Sequence, residues 1–265
     1  MAWPSCQILW DFNMNVRIIP VLSLLDDALV KTLKFSAAKY IGDPINTIRI
    51  FNEQEVDEVC ILGIRTTLRN KPPDYKLIEA MATECFMPLS YGGGINSLET
   101  AKKIFQCGVE KIILGTYAIQ NPSFISQCSL QYGSQAVVVA IDVRKSFFNQ
   151  YAVMSHSGTV NTRLHPLKWA REAEAAGAGE ILLTSINREG TWDGFDTVLV
   201  KEVSAGVSVP VIAHGGAGMP QHISEVIKSG ASAVAVGSMF LYQRKGLGVL
   251  VNFPKQKIEE AIASI

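Results

Sequence analysis

The chain carries no surplus of either charge: 24 Lys and Arg balance 24 Asp and Glu. No basic excess provides a footprint for nucleic acid, and no acidic tail provides one for a basic partner. Long hydrophobic runs are missing too. The apolar stretches have the length of strands, so no membrane span is expected. The five cysteines (Cys6, Cys60, Cys85, Cys107 and Cys128) form no CxxC pair and no metal spacing. They fall mostly in apolar runs and read as buried, reduced thiols of a cytoplasmic protein. No cluster of His, Cys and carboxylates argues for a metal, and no cofactor is expected. Met1 to Asn13 lack the basic start and the cleavage site of a secretory signal. They read as a dispensable extension, 1–13, ahead of a single domain spanning 14–265.

What the chain does have is repetition. Pro88-Leu-Ser-Tyr-Gly-Gly-Gly-Ile95 returns 122 residues later as Pro210-Val-Ile-Ala-His-Gly-Gly-Ala217. Gly108-Val-Glu-Lys-Ile-Ile-Leu-Gly-Thr116 matches Gly230-Ala-Ser-Ala-Val-Ala-Val-Gly-Ser238 at the same offset. Glu58-Val-Cys-Ile-Leu62 matches Glu180-Ile-Leu-Leu-Thr184. Three matched elements at one offset describe two copies of a half-domain. Glycine has no side chain, so backbone N–H groups beside it can approach a phosphate directly. Gly93, Gly94, Gly115 and Thr116 would form one such site, and Gly215, Gly216, Gly237 and Ser238 a second. The alternative is that these glycines only make tight strand-to-helix turns.

At 265 residues, 48% of them hydrophobic, the chain suits one large α/β domain. Buried strands are expected at Arg17–Leu22, Glu58–Ile64, Pro88–Tyr91, Lys111–Leu114, 135–142, Glu180–Thr184, 209–213 and Ala233–Val236. Helices fill the intervals; Asp43-Pro44, Ser97, Asn121-Pro122 and His165-Pro166 mark helix starts. A hairpin is expected around Lys31 to Lys34 or a loop in its place, another at 147–160, and a closing helix at 254–265. Eight strands alternating with helices predict a (β/α)8 TIM barrel with a two-fold half-barrel repeat.

In such barrels the active site lies at the C-terminal ends of the strands. Asp142 ends the fifth strand after an apolar run, in position to act as general acid or base, or to anchor a loop. Its half-barrel counterpart at the end of the first strand is Ser23, which cannot accept a proton as a carboxylate does. His214 ends the seventh strand beside the phosphate glycines and is a candidate to bind an anion or supply a proton. His156, His165 and His222 read as surface residues.

Arg17-Ile-Ile, Gly92-Gly-Gly-Ile95, Gly133 through Asp142, Gly177 through Ile186, Arg188 through Thr191 and Gly215-Gly-Ala-Gly218 resemble HisF, the cyclase subunit of imidazole glycerol phosphate synthase. The resemblance covers about Val16 to Phe240. It implies a partner, a HisH-like glutaminase forming a heterodimer with this chain, an ammonia path through the barrel, and a ligand with two phosphates. It also implies a two-Asp acid–base pair, of which Asp142 is present and Ser23 replaces the other. Phosphate positions are kept at Gly94, Thr116, Gly190, Gly216 and Ser238, and Lys31 is kept. Departures fall in the mouth: Gly63, Asn187 and Glu189 each stand for Asp, His214 for Ser and Gly115 for Asn. Arg17, Glu58, Lys111 and Glu180 match the family's ammonia gate.

Tyr40 through Asn46, Lys31-Thr32, Lys34-Phe35 and Glu84 through Tyr91 resemble more narrowly the WbuZ group of HisF-like proteins. Those accompany a separate amidotransferase in surface-sugar clusters. The leading expectation is therefore an ammonia-conducting subunit for surface-sugar amidation. A cyclase of histidine biosynthesis and a non-catalytic, phosphate-ligand-binding regulator of the glutaminase are the alternatives.

Overall fold

A computed structural model describes residues 16–69 and 71–265. The expected extension 1–13 lies outside the described residues. In chain order the elements are β1 (Arg17–Leu25), β2 (Ala28–Leu33), β3 (Ser36–Gly42), α1 (Pro44–Glu53), β4 (Val59–Gly63), α2 (Tyr75–Glu84), β5 (Leu89–Gly92) and α3 (Leu98–Gln106). Then come β6 (Lys111–Leu114), α4 (Thr116–Gln120), α5 (Ser123–Tyr132), β7 (Val137–Lys145), β8 (Tyr151–Ser155), β9 (Val160–Asn161), α6 (Pro166–Ala175) and β10 (Glu180–Ser185). The chain closes with α7 (Thr197–Ser204), β11 (Val211–His214), α8 (Pro220–Lys228), β12 (Ala233–Val236), α9 (Ser238–Leu241) and α10 (Lys255–Ala263).

Eight parallel strands, β1, β4, β5, β6, β7, β10, β11 and β12, pair in that order. β12 pairs with β1 through Arg17 and Ala233, which closes the sheet into the (β/α)8 barrel. β2 and β3 form an antiparallel hairpin on the end of β1, and β8 and β9 form another on the end of β7.

Local chemistry sets the helix starts. Asp43, Asp74, Ser97 and Asp196 each accept a backbone N–H of the first turn, at 2.8–3.2 Å. Each such cap contributes about 1 kcal/mol. Pro44, Pro166 and Pro220 occupy first helical positions, where no N–H is needed.

Two apolar layers follow from the alternation along each strand. One face of the strands packs outward against the helices, through residues such as Phe51, Trp169 and Phe240. The other fills the barrel interior with Ile19, Cys60, Ile113, Val138, Leu182 and Ile212. The Cys60 thiol is buried in that interior, and desolvation pushes its pKa up to about 12.

The expected strands are present, with two differences of consequence. β1 and β7 run three residues past their expected ends, because each continues into an antiparallel partner, β2 and β8. The short helices α4 and α9 follow Gly115 and Gly237 directly, and the sequence reading placed none there. Five and four residues are too few to show a helical period.

Candidate functional site

The C-terminal ends of the strands surround a cavity of about 620 Å³, within the usual range for small-molecule sites. Asp142, Ser23 and Thr116 border it from the barrel, while Lys31 and His156 reach it from the two hairpins.

Asp142 lies at the mouth floor, in register with Thr184 of β10, which is in register with His214 of β11. Thr184 stands beside Asp142 in the register, and its hydroxyl lies 3.2 Å from His214 Nδ1. A row Asp142–Thr184–His214 thus crosses three strands. Burial pushes the Asp142 carboxyl up to about 7, the neighbouring Thr184 hydroxyl opposes that rise, and the nearby Glu189 charge adds to it. Burial pushes His214 down to about 3, and the Lys31 charge pushes it the same way, so the imidazole is neutral. Asp142 is therefore poised to give or take a proton near neutral pH. Ser23 is buried on β1 and lines the same cavity.

Gly63 has a local explanation. A Cβ there would lie 2.9 Å from both the Thr66 hydroxyl and the Tyr91 hydroxyl, so these groups fill the space a carboxylate would need. Asn187 ties its loop to β7, accepting the Lys145 N–H at 2.7 Å and donating to its carbonyl at 3.2 Å.

The two glycine sets separate in space. Gly94, Gly115 and Thr116 open onto the large cavity. Gly190, Gly215, Gly216, Gly237 and Ser238 enclose a pocket of only about 10 Å³ together with Lys31, Glu189 and His214. Lys31 and Glu189 form a buried ion pair. Glu189 Oε2 also accepts the Thr32 hydroxyl and the Phe35 N–H, both at 3.2 Å, and its carbonyl accepts the Lys34 N–H at 3.0 Å. Glu189 therefore pins the β2–β3 hairpin to the loop after β10. Sequence reasoning missed this pairing, since the partners stand 158 residues apart.

His156 is half-buried at the rim of the mouth, and its backbone N–H donates to the Thr116 hydroxyl at 2.8 Å. The turn between β8 and β9 carries it there, next to the start of α4. His165 remains exposed at the start of α6, and His222 on α8 accepts the Gly218 N–H at 3.2 Å. Thr184 was also missed; its register beside Asp142 was the available signal.

At the opposite end of the barrel, Arg17, Glu58, Lys111 and Glu180 form a ring of alternating charge. Arg17 donates to Glu58 at 2.6 Å and to Glu180 at 2.7 Å. Lys111 reaches Glu58 at 2.9 Å and Glu180 at 3.4 Å. Above the ring is a chamber of about 10 Å³ lined by Glu58, Ser90 and apolar side chains of the barrel interior, room for about one water-sized molecule.

Among the described residues no group of three or more His, Cys, Asp or Glu is placed to hold a metal, and no helix is long and apolar enough to cross a membrane.

Residues 17–245 match the family described as histidine biosynthesis protein. A Pseudomonas aeruginosa protein with the provisional name imidazole glycerol phosphate synthase subunit hisF2 is 48% identical over 239 residues, covering 90% of this chain and 95% of its own. A Leptospira borgpetersenii protein, provisionally named as subunit HisF, is 46% identical over 94% of this chain and 99% of its own. A Vibrio vulnificus protein, provisionally named as subunit hisF3, is 40% identical over 91% and 94%. The barrel, its repeated glycine loops and these matches along nearly the whole chain together establish that the protein belongs to the HisF family.

Proposed function

We propose that this chain is the ammonia-conducting barrel subunit of a glutamine-dependent complex. A HisH-like glutaminase docks at the charged ring, and ammonia passes through the barrel to an acceptor in the mouth. The observation that carries the reading is the pairing of a complete four-charge ring with a single-molecule chamber directly above it. Such a ring is a poor stability device, because desolvating four charges offsets much of their attraction; a gate is a use that repays it.

The longest contact in the ring is Lys111 to Glu180, at 3.4 Å, and in this reading it is the one that parts. Apolar walls beyond it favour neutral ammonia over ammonium, since a charge loses its hydration there. In the mouth, Asp142 serves as the acid–base group, and the glycine loops hold a phosphorylated ligand. The acceptor we favour is a surface-polysaccharide sugar, supplied with the help of a separate amidotransferase. Ser23 supports that choice over imidazole glycerol phosphate formation, because the strand-one carboxylate is missing.

Two measurements test this. With the glutaminase bound, Glu58→Gln should raise the share of ammonia lost to solvent per glutamine hydrolysed; an unchanged share removes the gate. With saturating ammonium, the wild-type protein should lack cyclase turnover while Ser23→Asp gains some. Wild-type turnover of roughly 1 per second or more would make it a histidine-pathway cyclase.

A further inference from the structure

The antiparallel hairpins at the barrel mouth carry a charge unlike that of the whole chain. Residues 28–42 and 143–165 hold Lys31, Lys34, Lys39, Arg144, Lys145 and Arg163 and no Asp or Glu, although the chain as a whole is neutral. Lys31 is held by Glu189, and the other five cations form no ion pair among the described residues. In the turn before β2, Asp26 is already paired with Arg69 and Lys71, and Asp27 is one charge against these five. The hairpins also touch. A Cβ on Gly158, in the turn after β8, would meet the Phe35 ring at 3.0 Å and Arg144 Nη2 at 3.4 Å. The β2–β3 tip, the β8–β9 turn and the end of β7 therefore meet in one continuous rim.

Aromatic side chains crown that rim. At the apex of the β7–β8 hairpin, Phe147 and Phe148 are 96% and 82% exposed and stand edge to face, with ring centroids 5.8 Å apart. Leu33 and Tyr40 on the first hairpin and Val160 on β9 are exposed as well. Single exposed apolar residues are ordinary, but neighbouring rings at the end of a projecting hairpin mark a contact surface.

We propose that this rim is a membrane-contacting surface. The Phe147–Phe148 apex enters the interface of an anionic bilayer, and the cations of the hairpins meet its headgroups. The layering of the β7–β8 hairpin carries the choice of partner. Arg144 and Lys145 stand two or three residues behind Phe147, about 7–10 Å along a strand. That matches the depth, about 5–10 Å, to which apolar side chains enter the boundary between headgroups and acyl chains. The rings project and form no groove of their own, so whatever receives them must be apolar beneath an anionic surface. Each cation at such a surface strengthens binding by roughly fivefold, an effect that salt weakens. Burying both rings adds about 10²-fold or more. The inference stands apart from the ammonia reading.

The test is co-sedimentation of the full chain with vesicles of equal parts phosphatidylglycerol and phosphatidylcholine at low salt, with pure phosphatidylcholine vesicles beside them. The wild type should pellet with the anionic vesicles and not with the neutral ones, and high salt should release it. Phe147→Ser combined with Phe148→Ser should weaken binding by about tenfold or more while the melting temperature stays the same, since both rings are exposed. Lys39→Gln combined with Arg144→Gln should weaken it by roughly 25-fold. Phe86 is 85% exposed and precedes β5, at the other end of the barrel, so Phe86→Ser should bind as the wild type does. A wild type that stays in solution overturns the proposal and leaves the rim to an acidic protein partner. Binding that the charge variant loses and the double serine variant keeps is adsorption by charge alone, and overturns it too. So does an equal loss in Phe86→Ser.

Discussion

Replacing Asp142 by Asn should change how stability depends on pH, and the size of the change follows from the site. In the folded chain the Asp142 carboxyl titrates at about 7, against 3.8 for an unburdened aspartate. Between those values the native state holds a proton that the unfolded chain has released, so stability falls as pH rises. The contribution is complete below about 3.8 and exhausted above about 7. About two of the three units lie between pH 5 and pH 7, and at roughly 1.4 kcal/mol per unit they amount to about 3 kcal/mol. Water at the mouth screens part of this, leaving about 1.5–3 kcal/mol. Asn keeps the shape and cannot ionise. Urea unfolding in phosphate-free buffer, at about pH 5 and about pH 8, measures the difference. The stability of Asp142→Asn relative to wild type should be higher at the alkaline pH by that amount. Equal differences at the two pH values would refute the raised pKa, and with it the claim that Asp142 is tuned for proton transfer near neutrality.

Two further substitutions probe the scaffold. Gly216 has φ +115°, and an added Cβ would land on the Gly194 carbonyl oxygen, a backbone atom with nowhere to go. Gly216→Ala should lower the melting temperature by more than about 6 °C, as read by circular dichroism. Trp169 is buried between barrel and helices, but among the described residues its indole N–H has no partner. Trp169→Phe should therefore cost less than about 2 kcal/mol, because removing an unsatisfied donor offsets part of the lost packing, whereas Trp169→Ala should cost about 3–5 kcal/mol in urea unfolding.

The barrel was legible because its signals are local. Lys111–Leu114 and Ala233–Val236 read as strands from short apolar runs bounded by turn residues, and the structure keeps those bounds. Asp43, Ser97 and the prolines fixed helix starts within a residue, since a cap acts over three or four positions. The repeat at 122 residues exposed the half-barrels and the paired glycine loops. What stayed hidden depends on contacts between distant segments. Nothing in the stretch around Lys31 announces that its ammonium lies against Gly237 and is held by Glu189. That His156 stands at the rim of the mouth was not visible either, because the path of its hairpin is set by β7 pairing with β8, not by the hairpin's own residues. Gly63 was visible as a departure, but the hydroxyls of Thr66 and Tyr91 that occupy its space were not.

The position of Cys60 makes the barrel its own clock. Its sulfur is enclosed by Ile19, Ile113, Val138 and Leu182, and a thiol held up near 12 has almost no thiolate to offer an alkylating reagent. No reagent larger than the chamber can reach it while β4 stays paired with β1 and β5. Its labelling therefore proceeds only when the staves part, so the rate at which Cys60 disappears counts openings of the closed sheet rather than motions of the loops above it.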